Sequence, residues 1–331
     1  MPVASSALHD APTRAVPPAR PSADDATHPG PDRPEVELRH GFACRHVGTA
    51  GPAAPLLVLV HGLGGASHAW APVLEELAAG HRLLLVDLPG HGRSPAAAGA
   101  AEMAPARLGA RLAQLCRDLG EDVHLVGHSL GGWVVLEAAA ADGTDGSDGD
   151  EGVVRSVTAL TPAGLWYRPR PRPPLLPTGQ RLARASARLP DWVTASAPVR
   201  LLGFATTSAA PLALPLPLLR DAVEAIATAT GYADANTAIA TGSFTRAADV
   251  TCPVTLVSAD RDVVIPRAYL RPELAPRQTR FERLRRCGHV PAWDRPADCL
   301  RIITATVRSA RLRDARRRDA RLRAAVRPQA S

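Results

Sequence analysis

Val123-His124-Leu125-Val126-Gly127-His128-Ser129-Leu130-Gly131-Gly132-Trp133-Val134-Val135-Leu136-Glu137-Ala138-Ala139-Ala140 is the stretch on which the fold turns. A short apolar run passes without a spacer into Gly-His-Ser-Leu-Gly, and an apolar run of helical length follows. The pattern predicts a buried strand, a sharp reversal over one serine, and a helix running back along the sheet. Ser129 must take a strained backbone conformation there, so bulk at Gly127 or Gly131 would collide with the neighbouring chain. The turn lifts the Ser129 hydroxyl above the sheet edge, at the N-terminus of a helix whose dipole favours developing negative charge. A serine presented in this way has the form of a nucleophile. The plain alternative is a Gly-rich turn with an ordinary serine.

Working outward, the chain alternates strand and helix. Glu35–His40 and Ala43–Gly48 flank Gly41 as a pair of antiparallel edge strands. Leu56-Leu57-Val58-Leu59-Val60 is continuously apolar, as a strand covered on both faces should be, and runs into His61-Gly62-Leu63-Gly64-Gly65. Leu83-Leu84-Leu85-Val86 repeats the theme and ends in Asp87-Leu88-Pro89-Gly90-His91-Gly92-Arg93-Ser94. Leu108, Leu112, Leu115, Cys116 and Leu119 recur at helical spacing, with Gly120 as the stop. Val153–Leu160 is the next strand. This rhythm implies an α/β fold with a mostly parallel central sheet and helices on both faces. In such sheets chemistry collects at the carboxyl ends of the strands, where His61, Asp87 and Ser129 all fall.

The rhythm breaks between Thr161 and about Asp249, where Pro-Arg runs and Pro-spaced apolar stretches carry helical patterns over Gly179–Leu189 and near Arg220–Ala227. We read residues 162–249 as a mainly helical cap inserted into a core made of residues 34–161 and 250–309. The core resumes with Val254–Val257, a helix around Pro266–Leu270, a strand near Thr279–Leu284 and a final helix from about Pro296. Residues 1–33, rich in Pro and small polar side chains, are expected to form a disordered leader without an apolar signal segment. Residues 142–152 read as an exposed acidic loop, and residues 310–331 as an Arg-rich tail.

Charge follows the same division. All 39 basic residues are Arg, and the formal net charge is +7. Residues 301–331 hold ten Arg and two Asp, which leaves the first 300 residues at −1. A near-neutral body argues against nucleic acid as a partner. No apolar run reaches membrane-spanning length. The five cysteines are scattered, odd in number and without metal-ligand spacing, which fits a reducing, cytoplasmic setting with neither a disulfide framework nor a metal site.

A serine hydroxyl needs a base to take its proton and a third group to orient that base. Strand Val254–Val257 runs into Ser258-Ala259-Asp260-Arg261-Asp262-Val263-Val264-Ile265-Pro266. Asp262, directly before the apolar turn, is placed to be the orienting acid; Asp260 is its rival, and either could instead be a turn or capping aspartate. His289 follows in Arg286-Cys287-Gly288-His289-Val290-Pro291-Ala292-Trp293, after the last strand and in the order Ser, Asp, His. His128 is expected to point away from the serine, and the rings of His61 and His91 matter less than the glycines around them. An acyl-transfer intermediate needs two preorganised donors for its oxyanion; the N–H of Leu130, after the serine, and of Leu63, after the first buried strand, are the candidates. The Gly-rich stretch after that strand lacks the endings of phosphate-binding loops.

His61-Gly62-Leu63-Gly64-Gly65, Asp87 to Ser94, Gly127 to Gly132, Asp262 and Gly288-His289 together resemble the α/β-hydrolase superfamily, most closely its cap-bearing, lipase- and esterase-like serine hydrolases. The likeness covers roughly Glu35–Ser309 outside the cap. It implies Ser129 as nucleophile, His289 as base, Asp262 as orienting acid, Leu63 and Leu130 as oxyanion donors, and no cofactor. Serine at the nucleophile position departs from haloalkane dehalogenases and epoxide hydrolases, which carry aspartate there. Ser258-Ala259, where many members have a Gly, is a departure that touches the Asp262 assignment. The expected reaction is cleavage of a carboxylic ester or thioester of a small to medium apolar substrate. Trp166, Tyr167, Trp192, Phe204 and Leu212–Leu219 could contact that substrate or equally form the cap's own core. Carbon–carbon bond hydrolysis and cofactor-free perhydrolysis would use the same three residues, and a non-catalytic binding protein is the reading from another class.

Overall fold

A computed structural model describes residues 35–144, 152–167 and 176–326. The expected leader (1–33), most of the acidic stretch (145–151), the Pro-Arg run (168–174) and the last five residues lie outside these. The described residues contain an eight-stranded sheet ordered β1-β2-β4-β3-β5-β6-β7-β8. Its strands are β1 (Val36–Arg39), β2 (Phe42–Val47), β3 (Leu56–Val60), β4 (Arg82–Asp87), β5 (Val123–His128), β6 (Val154–Leu160), β7 (Val254–Ala259) and β8 (Thr279–Leu284). β1 and β2 pair antiparallel, as do β2 and β4; every other pairing is parallel.

The uninterrupted apolar strands are explained by burial on two sides. In β3, Leu56, Val58 and Val60 enter one core cluster while Leu57 and Leu59 enter the other. β4 divides likewise, with Leu84 and Val86 on the first side and Leu83 and Leu85 on the second. Each such side chain contributes about 1.5–3 kcal/mol through burial, so a polar side chain in β3 or β4 would be costly unless paired. The first face is covered by α2 (Pro105–Asp118) and α3 (Leu130–Thr144), the second by α1 (Ala71–Gly80) and α10 (Pro296–Val326). α10 buries Cys299, Ile302, Ile303, Val307 and Ala310, spaced as one helical stripe.

The chain moves from β3 to β4 on one side and then to β5 on the other. Order reverses at β3, the kind of switch point beside which open parallel sheets place their ligands. The loop His61–Gly65 and the turn at Ser129 leave from the two adjacent strands β3 and β5.

Between β6 and β7 lie α4 (Leu176–Ser186), α5 (Asp191–Thr194), α6 (Ala197–Phe204), α7 (Leu216–Thr228) and α8 (Tyr232–Thr241), and the short α9 (Pro291–Asp294) follows β8. Two expectations fail locally. Pro266–Leu270 forms only a short 3₁₀ turn at Arg267–Tyr269, followed by another at Pro272–Leu274, because Pro266, Pro272 and Pro276 deny a longer helix its amides. Asp142 is not in an exposed loop. It sits buried in the last turns of α3, where its carboxylate accepts the Val154 N–H at 2.8 Å and lies 3.9 Å from Arg117. The first residue of β6 needs an acceptor, and Asp142 supplies it.

Candidate active site

Ser129 has φ of +53°, in the left-handed region that an L-residue occupies only under constraint. The constraint is visible. Its N–H donates to Leu160 O at 3.0 Å, and its carbonyl accepts from Ala163 at 3.0 Å and Trp133 at 3.2 Å. A Cβ at Gly127 would lie 2.3 Å from Gly131 O, and one at Gly131 would lie 2.3 Å from Val60 O and 2.4 Å from His61 O. Only glycine lets the start of α3 press against the end of β3.

Three side chains distant in sequence form one hydrogen-bonded line. His289 Nε2 lies 2.9 Å from Ser129 Oγ, and its Nδ1 lies 2.8 Å from Asp262 Oδ2. Asp262 is fixed in turn, since its Oδ1 accepts the N–H of Val264 at 2.8 Å and of Ile265 at 2.7 Å. All three residues are buried. Asp260 is exposed and points elsewhere, accepting the Cys287 N–H at 3.2 Å. Desolvation opposes its charge, but the amides of Arg286 and Cys287 outweigh it and hold the carboxyl below the usual range.

The two amides singled out for an oxyanion lie on adjoining segments. Leu130 opens α3, so its N–H has no acceptor inside the helix. Leu63 lies in a loop closed by the Gly65 N–H on Gly62 O at 3.0 Å, and a Cβ at Gly62 would come within 3.1 Å of Ser129 Cβ. His61 anchors that loop. Its Nδ1–H donates to Gly62 O at 2.7 Å and its Nε2 accepts the Leu88 N–H at 2.9 Å, which requires a neutral ring; burial accordingly pushes its pKa well down. The imidazole that sequence reading set aside therefore ties β3 to β4.

His128 is turned toward the His289 backbone and makes no hydrogen bond to Ser129 Oγ. Its Nε2–H donates to His289 O at 2.8 Å, and the two rings stand 5.0 Å apart. Burial and the neighbouring His289 lower its pKa to about 3, so it stays a neutral donor. Thr161 Oγ1 donates to the same carbonyl at 2.8 Å. Neither contact had a signal in sequence, because each spans well over a hundred residues. Of the apolar cap residues, Trp166 is buried edge-on against Trp133, and Phe204, Leu214, Leu218 and Leu219 are buried too. Tyr167 and Trp192 are exposed. Ile226 and Tyr232 press on Gly64: a Cβ there would lie 3.0 Å from each. Among the described residues no group of three or more His, Cys, Asp or Glu is placed to hold a metal, and no helix is long and apolar enough to cross a membrane.

The sequence pattern of the alpha/beta hydrolase family matches residues 57–302. The chain belongs to that family. This α/β-hydrolase is 45% identical over 87 residues to carbamate hydrolase RutD of Pseudomonas savastanoi pv. phaseolicola, covering 26% of this chain and 33% of the relative. It is 43% identical over 86 residues to the pimeloyl-[acyl-carrier protein] methyl ester esterase of Aeromonas salmonicida, covering 26% and 32%. The matches thus span about a third of these relatives. Among solved structures it resembles a thermophilic esterase from Thermogutta terrifontis, with a TM-score of 0.59 and 21% identity over 81% of this chain and 93% of that one. At that identity the likeness concerns the fold. Homologues and structural neighbours of this chain include hydrolases and esterases of the same superfamily.

Proposed function

We propose that this α/β-hydrolase cleaves a carboxylic ester or thioester of a small to medium apolar substrate through an acyl-Ser129 intermediate. The observation that carries the reading is the single line from Asp262 through His289 to Ser129. As Ser129 Oγ bonds to the substrate carbonyl carbon, its proton passes to His289 Nε2 and the carbonyl electrons move onto oxygen. The imidazolium is stabilised by Asp262, whose carboxylate is held in aim by the amides of Val264 and Ile265. The N–H groups of Leu63 and Leu130 receive the oxyanion. Collapse breaks the bond to the alkoxy or thiolate group, which leaves with the proton from His289. Water then repeats the sequence: His289 takes its proton, the acyl–oxygen bond to Ser129 breaks, and the carboxylic acid is released as the serine recovers its hydrogen.

The insertion of residues 162–249 acts as the cap over this site. Ile226 and Tyr232 against Gly64, beside Leu63, support an apolar acyl group. Hydrolysis of p-nitrophenyl esters of graded acyl length, by wild type and Ser129→Ala, tests the reading. Turnover that peaks at one chain length and disappears in the variant is expected. A flat zero across the panel, with a folded protein that also takes no fluorophosphonate label, would overturn it.

A further inference from the structure

Three donors converge on the carboxylate of Asp294. Ser208 Oγ–H donates to Oδ1 at 2.5 Å, while the amides of Ala209 and Gly288 donate to Oδ2 at 2.8 and 2.6 Å. Two of these donors belong to the insertion between β6 and β7; the third is the residue before His289. The contact continues on the far side of the histidine, where the Val290 N–H donates to Thr207 O at 3.0 Å. A Cβ at Gly288 would lie 2.8 Å from both Thr207 O and Ala209 N, so the two backbones touch directly. Next to Asp294, Trp293 sets its ring 6.3 Å from that of Phe204 and joins the apolar cluster of Phe204, Leu214, Leu219 and Ala222.

The loop carrying His289 is therefore held from two sides. From the core, His128 and Thr161 both donate to the His289 carbonyl. From the insertion, Thr207 O holds the amide after the histidine, while the Asp294 carboxylate ties the Gly288 amide before it to Ser208 and Ala209. A shift of the insertion cannot leave the Gly288 backbone in place unless that tie opens.

We propose that Asp294 is a positioning residue whose carboxylate clamps Thr207–Ala209 to Gly288, so that the seating of the insertion sets the alignment of His289 with Ser129. The proposal rests on the serine-hydrolase reading above. It makes the cap more than a substrate wall, because displacing it also misaligns the base. Geometry, not charge, does the positioning. An asparagine turned with its oxygen in place of Oδ2 still accepts both backbone amides, and its NH₂ can donate to the Ser208 oxygen. Alanine offers neither.

The test compares wild type, Asp294→Ala and Asp294→Asn in the full chain. kcat and KM are measured on the best p-nitrophenyl ester, and hydrogen exchange on peptides spanning residues 205–210 and 286–294. Asp294→Ala is expected to lower kcat about tenfold or more, with KM changed by less than about threefold, since a misplaced base costs rate rather than binding. Exchange should quicken in both peptides. Asp294→Asn should recover most of the rate and the protection. Wild-type kcat in Asp294→Ala would overturn the proposal, as would an asparagine variant that is as slow as alanine with protection intact. Should Asp294→Ala not fold, Ser208→Ala removes one donor only; unchanged exchange in the 286–294 peptide of that variant would equally overturn it. Exchange is read without substrate, so an open clamp and a failed serine reading give different results.

Discussion

His289 Nδ1 lies 2.8 Å from Asp262 Oδ2, and the other oxygen of that carboxylate is pinned by two consecutive amides, those of Val264 and Ile265. The arrangement fixes which ring nitrogen carries hydrogen and leaves Nε2 free to accept from Ser129. Asp262→Asn keeps the shape but can present an N–H to Nδ1, which favours the wrong tautomer. A fall in kcat of about three to four orders of magnitude is expected, as in other serine triads that lose their acid. Asp260→Asn, at an exposed carboxylate that accepts the Arg286 and Cys287 amides and not His289, should change kcat by less than about fivefold. Steady-state kinetics on one ester decide it: equal losses in the two variants would reassign the acid.

Glycines predict opposite signs at two sites. A Cβ at Gly131 meets two backbone carbonyls at 2.3–2.4 Å, neither of which can rotate away. Gly131→Ala should cost about 2 kcal/mol or more and abolish activity by lifting α3 off the end of β3. Gly179, exposed in α4, has nothing within 4 Å of the same position. Gly179→Ala should raise stability by about 0.5–1 kcal/mol with activity unchanged. Urea titration gives both signs, and a neutral Gly131→Ala would contradict the packing described.

What sequence made legible was whatever repeats or sits next to itself. The apolar runs of β3, β4 and β5 carry their two-faced burial in composition, and the turn at Ser129 carries its strain in the flanking glycines. Asp262 and Asp260 could not be separated that way, because both follow β7 within three residues and only the reach to His289 distinguishes them. His128, Thr161 and Asp294 escaped because their partners are fixed by folding, across separations that no local pattern records. α8 was missed for another reason. It buries only Tyr232, Ala235 and Asn236, so its small side chains produce no amphipathic stripe. Asp142 misled because a Gly- and Asp-rich continuation hid the amide of Val154 that draws it inward.

Buried imidazoles make stability depend on acid. Burial lowers the pKa of His124 to about 4 and that of His128 to about 3, from an ordinary 6.5. The unfolded chain takes up these protons first, so the stability is complete above about 6.5 and is lost as pH falls from there toward the folded values. Each ring contributes up to about 1.4 kcal/mol per pH unit in that window. Melting temperature should drop between pH 7 and pH 5, and the double variant His124→Gln/His128→Gln should show a shallower drop. Parallel curves for the two proteins would mean that other groups carry the acid sensitivity.

The helix that ends the fold does not stop where its charge pattern changes. α10 runs unbroken from Pro296 to Val326, through the boundary that sequence placed between Ser309 and Ala310. Ala310 is fully buried and Asp314 nearly so, while Arg313 donates to Gln278 Oε1 at 2.9 Å. A chain ending at Ser309 loses these contacts, and with Ala310 the end of the stripe that begins at Cys299. It should melt several degrees lower, since about 1–2 kcal/mol lost from a domain of this size shifts the midpoint by that much. A chain ending at Ala320 keeps those contacts and should match the full protein in melting temperature and ester turnover. Thermal melts of the two truncations side by side check this. Equal stability at Ser309 would show that residues 310–320 contribute nothing to the body, and instability at Ala320 would extend the structural part of the helix into its last two turns.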